Sequence, residues 1–336
     1  MTAVGVIGSG TWGTAIALLL AKNGCEVTLW SAIREEIEEM KRTGRHKNLP
    51  DVTIPQTIHL TADLKEAMAQ KDLLILAVPS VYVRGTAARM REHLRYGQIV
   101  VNVAKGIEEQ SLKTMSQIIE EEIPNAEVAV LSGPSHAEEV SRGLPTTCVA
   151  GARRKKTAQY IQSVFMSPVF RVYTSPDMLG MEVGAALKNV IALAAGIADG
   201  LGYGDNSKAA LITRGIAEIS RLGVRMGGKL QTFGGLSGIG DLIVTCASMH
   251  SRNRRAGILI GKGYTMEEAM KEVQMVVEGV YSAKAALLLA RQYGCDMPIV
   301  EQVNQVLFEG KAPRDAVSDL MLRDGRIEAD DLPWEE

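Results

Sequence analysis

One lysine in an apolar stretch is the residue of this 336-residue chain best placed to move a proton. Lys188 lies in Met178 to Asp199, MLGMEVGAALKNVIALAAGIAD, and on a helix its same-face neighbours are Gly184, Ala185, Ile191 and Ala192. Burial penalises the ammonium and lowers its pKa, which turns a lysine into a proton donor or acceptor near neutral pH. The competing reading is a lysine snorkelling at the edge of a domain interface. Asp241, in the otherwise apolar run Ile239 to Val244, is the natural partner, because a buried lysine and a buried aspartate each need what the other supplies. Further on, Ser251-Arg252-Asn253-Arg254-Arg255 concentrates donors of the kind that hold phosphate, with Arg252 and Asn253 the better candidates and Arg254 and Arg255 also readable as a solvated face. Lys105, in the turn Ala104-Lys105-Gly106, is a second cation placed to meet an anion or to sit in a solvated loop.

These residues need elements to position them. The first is a strand over Val4 to Ile7, then Gly8-Ser9-Gly10-Thr11-Trp12-Gly13, then a helix from Thr14 to Asn23. In that context the glycines have separate tasks: Gly8 makes the tight turn, Gly10 admits a pyrophosphate to the backbone, and Gly13 packs helix on strand. The phosphates would rest on the helix N-terminus. After the second strand, Glu26 to Trp30, an NAD-only site would place an acid; here the sequence reads Ser31-Ala32-Ile33-Arg34. No carboxylate precedes Glu35, and Arg34 is the nearby cation, although it also reads as the first exposed residue of a helix over 34–43. We therefore expect both cofactors to be accepted, with NADPH ahead.

The alternation continues through strands at 58–60, 73–78, 98–103, 128–132, 146–150 and 169–173, with helices at 63–70, 81–94, 111–122 and 136–142. Strands this apolar are buried on both faces, as in a parallel, doubly wound sheet. Their carboxyl ends carry the unusual turns Val78-Pro79-Ser80, Ala104-Lys105-Gly106 and Ser132-Gly133-Pro134-Ser135-His136-Ala137, where ligands of such sheets lie. Beyond Ser175-Pro176 the pattern is helical: 178–199, 206–227, 252–262, 265–273, 279–292, 298–309 and 313–322, with the glycine-rich stretch Thr232 to Arg255 read as a loop. The fold class is thus an α/β, Rossmann-like doubly wound N-terminal domain, 1–177, followed by an all-α C-terminal domain, 178–336. The tail, Glu328 to Glu336, reads as acidic and loosely held.

A formal net charge of -2 gives no basic field for nucleic acid or an anionic membrane. The uninterrupted apolar run Val190 to Ala198 is far short of the ~20 residues of a membrane span. The four cysteines, Cys25, Cys148, Cys246 and Cys295, form no CxxC pair, and His46, His59, His93, His136 and His250 show no metal-ligand spacing; of these only His136 falls near the site. That spacing leads us to expect no metal, and the N-terminus, which runs straight into a strand, a cytoplasmic location.

GSGTWGTAIA at the start, VAKGIE at 103–108, LSGPSHAEEV at 131–140, ALKNV at 186–190, GDLIVTC at 240–246, SRNRRAG at 251–257 and VVEG at 276–279 together resemble the NAD(P)-dependent glycerol-3-phosphate dehydrogenases of the bacterial type. The resemblance runs in order over nearly the whole chain. It implies reversible reduction of dihydroxyacetone phosphate to sn-glycerol 3-phosphate by NADPH or NADH, feeding phospholipid synthesis. It implies Lys188 as the proton donor or acceptor, with Lys105, Gly133, Ser135, Asp241, Ser251, Arg252 and Asn253 lining the substrate and cofactor site. Thr11, Trp12, Ala137, Arg252, Val276 and Glu278 would touch the dinucleotide, and Asn189 and Thr245 would support the substrate. Many relatives carry a histidine or arginine where this chain has Ala32 or Ile33, so cofactor preference is the point at which it departs. A homodimer is left open. The rival readings are another Rossmann-plus-helical dehydrogenase, acting on a hydroxy acid or sugar acid, and a nucleotide-sensing protein without turnover. The first would want carboxylate contacts instead of the Ser251–Asn253 cluster, and intact Lys188 and Asp241 count against the second.

Overall fold

The computed structural model describes residues 1–325 and 327–328; most of the acidic tail, 329–336, lies outside them. The strands are β1 (Ala3–Ile7), β2 (Glu26–Trp30), β3 (Arg45–His46), β4 (Leu49–Thr53), β5 (His59–Thr61), β6 (Leu73–Leu76), β7 (Ile99–Asn102), β8 (Glu127–Ser132), β9 (Thr146–Ala152) and β10 (Phe170–Ser175). Eight of them form one sheet in the order β10-β9-β8-β7-β6-β1-β2-β5. From β5 to β8 every pairing is parallel, and the order reverses beside β1, which opens the crevice expected of a dinucleotide fold. Nearly all residues of β1, β6 and β7 are buried, because helices cover both faces.

The sheet is mixed, which corrects the all-parallel expectation. β9 runs antiparallel to β8, and β10 then pairs parallel with β9. The connection from Ser132 to Thr146 holds the short helix Ala137–Arg142. In the sheet half two elements were not read from the sequence: the helix Lys155–Phe165 and the β3–β4 ribbon, whose antiparallel register shifts at Arg45/His46.

The helix Met178–Gly200 is the axis of the second half. Asp177 caps it, accepting from Gly180 N at 2.9 Å, and also receives Lys229 N and Thr232 Oγ1, which ties the helix start to the chain after the next helix. By length and composition it could cross a membrane, yet the apolar window is wholly buried inside the protein, as a core helix is. The helix Arg252–Gly261 packs against it with glycine on both sides. A Cβ on Gly257 would lie 2.3 Å from Leu193 O, and one on Gly196 would lie 2.2 Å from Arg254 O. That close approach carries the Ser251–Asn253 cluster up to Lys188 and Asn189. Thr232 to Arg255 is not a loop: it holds a short helix Leu230–Phe233, a π-helical turn Leu236–Gly240 and the helix Asp241–Ala247. Asp241 therefore opens a helix straight after a π turn, a local irregularity often found at functional sites.

Candidate active site

A cleft of about 400 Å³ opens between the carboxyl ends of the strands and the helical half. At its floor Lys188 Nζ donates to Asp241 Oδ1 at 2.6 Å and to Thr245 Oγ1 at 2.7 Å. Thr245 Oγ1 donates its own hydrogen bond to Asp241 O, so its lone pairs are left for the lysine. Lys105 Nζ reaches the other carboxylate oxygen, Oδ2, at 2.7 Å and also donates to Gly133 O at 3.0 Å. One carboxylate thus lies between two ammonium groups, with Asp241 itself 1% exposed.

The electrostatics follow from burial against pairing. Desolvation pulls Lys188 down to about 8; Asp241 opposes that fall and Lys105 adds to it. Burial alone would raise Asp241, but Lys105 and Lys188 outweigh it and hold the carboxyl below its ordinary value. His136 lines the same cleft and is pushed down to about 4, first by burial and then by the Lys188 charge, so it is neutral at physiological pH. Its Nε2 lies 3.4 Å from Val244 O, and its ring stands 5.8 Å from that of His250.

The supports of the two lysines are built deliberately. Asn102 Nδ2 donates to Ala104 O and to buried Glu182 Oε1, and Asn102 Oδ1 accepts Ala104 N, which fixes the turn presenting Lys105. Glu182 sits on the same helix as Lys188 and also caps Ser116 N, so one helix holds both the lysine and the anchor of the second cation's loop. Gly133 has φ +153°, and a Cβ there would lie 2.9 Å from Cys148 Cα; its carbonyl accepts from Ser135 Oγ as well as from Lys105. Gly133 therefore acts through its oxygen and does not itself line the cleft.

The phosphate candidates divide. Ser251 Oγ accepts Arg254 N and caps the Arg252–Gly261 helix. Asn253 joins Asn189 Oδ1 at 2.9 Å to Gly279 N at 2.8 Å, clamping three helices together. Arg254 belongs to the structure: it donates to Asp199 Oδ2 at 2.7 Å, beside Lys208. Arg252, at the first helical position, lines the cleft and makes no hydrogen bond or ion pair among the described residues. It is an open fork of donors.

At the other end of the cleft Gly10, Thr11 and Trp12 face the space, with nothing within 4 Å of where a Gly10 Cβ would stand. Gly8 and Gly13 shape the turn beneath: a Cβ on Gly13 would lie 1.9 Å from Gly8 O. The helix Thr11–Lys22 has no side-chain cap, so backbone donors of its first turn stand free where a dinucleotide would bind. Ala137 and Val276 line the same cleft. Glu278 lines it too, accepting Ser80 N at 3.1 Å and Ser80 Oγ across the two halves. Burial raises the Glu278 carboxyl, and those hydrogen bonds and Arg252 oppose the rise. These residues fit the dinucleotide.

Arg34 is not brought to this cleft. It is exposed and lines a separate groove with Asp63, Lys65, Arg89, Glu92 and His93. In its place the cleft holds residues missed in the sequence: Glu36, and His46, Lys47 and Asn48 from the β3–β4 ribbon. For the three ribbon residues the signal available was the polar run Arg45 to Asn48 directly after the second helix and Gly44.

Comparison with known proteins decides the family. Residues 3–158 match the model of the NAD-dependent glycerol-3-phosphate dehydrogenase N-terminus, and residues 177–318 match that of its C-terminus. The chain belongs to the NAD-dependent glycerol-3-phosphate dehydrogenase family. A glycerol-3-phosphate dehydrogenase [NAD(P)+] of Agathobacter rectalis is 62% identical over 335 residues, covering 99% of this chain and 100% of the relative. One of Fusobacterium nucleatum is 61% identical over 331 residues, covering 98% and 99%. The crystal structure of a glycerol-3-phosphate dehydrogenase from Coxiella burnetii superposes with a TM-score of 0.93 at 35% identity, over 96% of this chain and 99% of that one. Members of this glycerol-3-phosphate dehydrogenase family use NADH or NADPH, and the cleft's free donors suit either.

Proposed function

We propose that the protein reversibly reduces dihydroxyacetone phosphate to sn-glycerol 3-phosphate with NADH or NADPH, supplying the backbone of phospholipids. The observation that carries this reading is the buried Lys188–Asp241–Lys105 arrangement on the floor of a cleft that also holds the unpaired Arg252.

When bound, the dinucleotide supplies the hydride that reaches the carbonyl carbon, or accepts it in the reverse direction. Lys188 is the proton donor: its ammonium, with a pKa of about 8, delivers a proton to the carbonyl oxygen as that oxygen becomes an alkoxide, and takes it back during oxidation. Asp241 keeps the lysine charged against the cost of burial and fixes its direction. Lys105 shares that carboxylate and presents a second positive charge to the developing oxyanion. Arg252 grips the substrate phosphate, held in place by the Ser251 cap and by the Asn189–Asn253–Gly279 clamp. Thr245 orients Lys188, and Ser135 and Gly133 orient Lys105. Gly10, Thr11, Trp12, Ala137, Val276 and Glu278 take the dinucleotide.

The chain divides for this purpose at 177/178, with the dinucleotide on the sheet side and the acid–base and phosphate groups largely on the helical side. A reducing, cytoplasmic setting is supported by four cysteines that are all free. Reduced dinucleotide oxidation with dihydroxyacetone phosphate, run beside unphosphorylated dihydroxyacetone, tests the function. Turnover that depends strongly on the phosphate is expected; equal rates on the two, or turnover of a hydroxy acid instead, would remove the reading.

A further inference from the structure

The first turn of the helix Arg34–Thr43 turns a carboxylate back over the glycine loop. Glu36 Oε2 accepts Ser9 Oγ at 3.3 Å and Ser31 Oγ at 3.2 Å, so it bridges the loop after β1 and the end of β2. Its other oxygen lies 3.2 Å from Lys47 Nζ on the β3–β4 ribbon. The carboxylate is about a third exposed, at 29%, and lines the main cleft beside Gly10, Thr11 and Trp12. In a fold of this kind the space outside the end of β2 receives the adenosine ribose, and an acid there accepts a hydrogen bond from the ribose 2′-hydroxyl while repelling a 2′-phosphate. The acid absent from the end of β2 in sequence is thus returned to the same place by the fold, from the next helix.

No cation outweighs it. Ala32 and Ile33 are exposed and uncharged, and Arg34 lines the separate groove with Arg89 and Asp63. Lys47 is the one ammonium at hand among the described residues near Glu36, and its side chain is 69% exposed and paired to that same carboxylate. We propose that Glu36 reads the 2′-position of the cofactor and sets the enzyme to prefer NADH over NADPH, with Lys47 moderating the preference. This reverses the NADPH preference expected from Arg34. The proposal rests on the dehydrogenase reading of the cleft.

The test is a fluorescence titration of the wild-type protein with NADH and with NADPH in the absence of substrate, followed by kcat/KM for each with dihydroxyacetone phosphate. Wild type should bind NADH at least about tenfold more tightly, a difference of ~1.4 kcal/mol. Glu36→Gln should raise the NADH:NADPH ratio of Kd and lower that of kcat/KM, each by about tenfold or more, because it removes the anion and leaves Lys47 free for a 2′-phosphate. Lys47→Ala should move the ratio the other way, toward NADH. If Glu36 merely braces Ser9 and Ser31, its replacement weakens both cofactors equally, and an unchanged ratio overturns the proposal. A wild-type preference for NADPH that Arg34→Ala erases overturns it as well. Failure of both dinucleotides to bind the wild-type protein would strike at the dehydrogenase reading itself, whereas equal tight binding of both would strike at Glu36 alone.

Discussion

Asp241 Oδ1 lies 2.6 Å from Lys188 Nζ, and neither side chain is more than 7% exposed. Removing the carboxylate leaves the buried ammonium with a desolvation cost that no opposite charge offsets. In Asp241→Asn, burial and the Lys105 charge still act on Lys188 while the opposing carboxylate is gone, so its pKa should fall further below about 8. In wild type, kcat for reduction should decline as pH rises through about 8 and oxidation should gain over the same range, because reduction consumes the ammonium and oxidation needs the amine. The variant should lose ~10–10²-fold in reduction at neutral pH and shift that decline to lower pH. Parallel pH–rate profiles in both directions check this; an unshifted profile would take Asp241 out of the control of Lys188.

Arg252→Ala should raise KM for dihydroxyacetone phosphate by the loss of a charge-assisted contact of about 1.5–3 kcal/mol. Any residual rate on unphosphorylated dihydroxyacetone should scarcely move. A lysine at 252 should recover part of the affinity, since it restores charge without the planar fork. Steady-state kinetics on both substrates separates the cases, and equal losses on the two would place Arg252 elsewhere.

A second buried carboxylate makes a stability prediction away from the cleft. Glu218 accepts Ile299 N at 2.8 Å and Val300 N at 3.3 Å, and burial raises its pKa to about 7 against those bonds. The folded protein therefore binds this proton more tightly than the unfolded chain. The resulting contribution is fully present below the ordinary pKa of 4.5 and is lost as pH rises through about 7. Glu218→Gln, which keeps an acceptor without the charge, should flatten that part of the stability profile. Relative to wild type it should gain on the order of 3 kcal/mol between pH 4.5 and 8. Urea midpoints across the range measure it; parallel profiles for the two proteins would contradict the assignment.

What the sequence disclosed and what it hid have physical reasons. Val4 to Ile7, the spaced glycines and the following helix are local, and the register of that turn is dictated by where a Cβ cannot fit. The Lys188–Asp241 pairing was legible although 53 positions separate the two, because each is a charge in an apolar run and has few other partners. Glu36 was not legible: among the charged residues of a helix whose first turn is mostly exposed, only the folded ribbon shows which one turns inward to Ser9, Ser31 and Lys47. The direction of β9 was hidden for a similar reason, since burial on both faces gives the same apolar pattern to a parallel and an antiparallel strand. Ser251 shows a further limit, for its lone-pair role as the cap that accepts Arg254 N depends on where the helix starts, while its hydroxyl proton is left to donate into the cleft it lines.

The central claim is that Lys188 moves the proton, and single-turnover and steady-state reduction of dihydroxyacetone phosphate by Lys188→Met measures it most directly. The methionine keeps the length and apolar stem of the side chain in a helix buried on every side. The variant should fold, bind the dinucleotide nearly as wild type does, and lose ~10²–10⁴-fold in kcat, the range for removing a general acid. A folded variant that binds cofactor and keeps more than about a tenth of wild-type turnover would contradict the account, because less than ~1.4 kcal/mol of the barrier would then depend on the lysine.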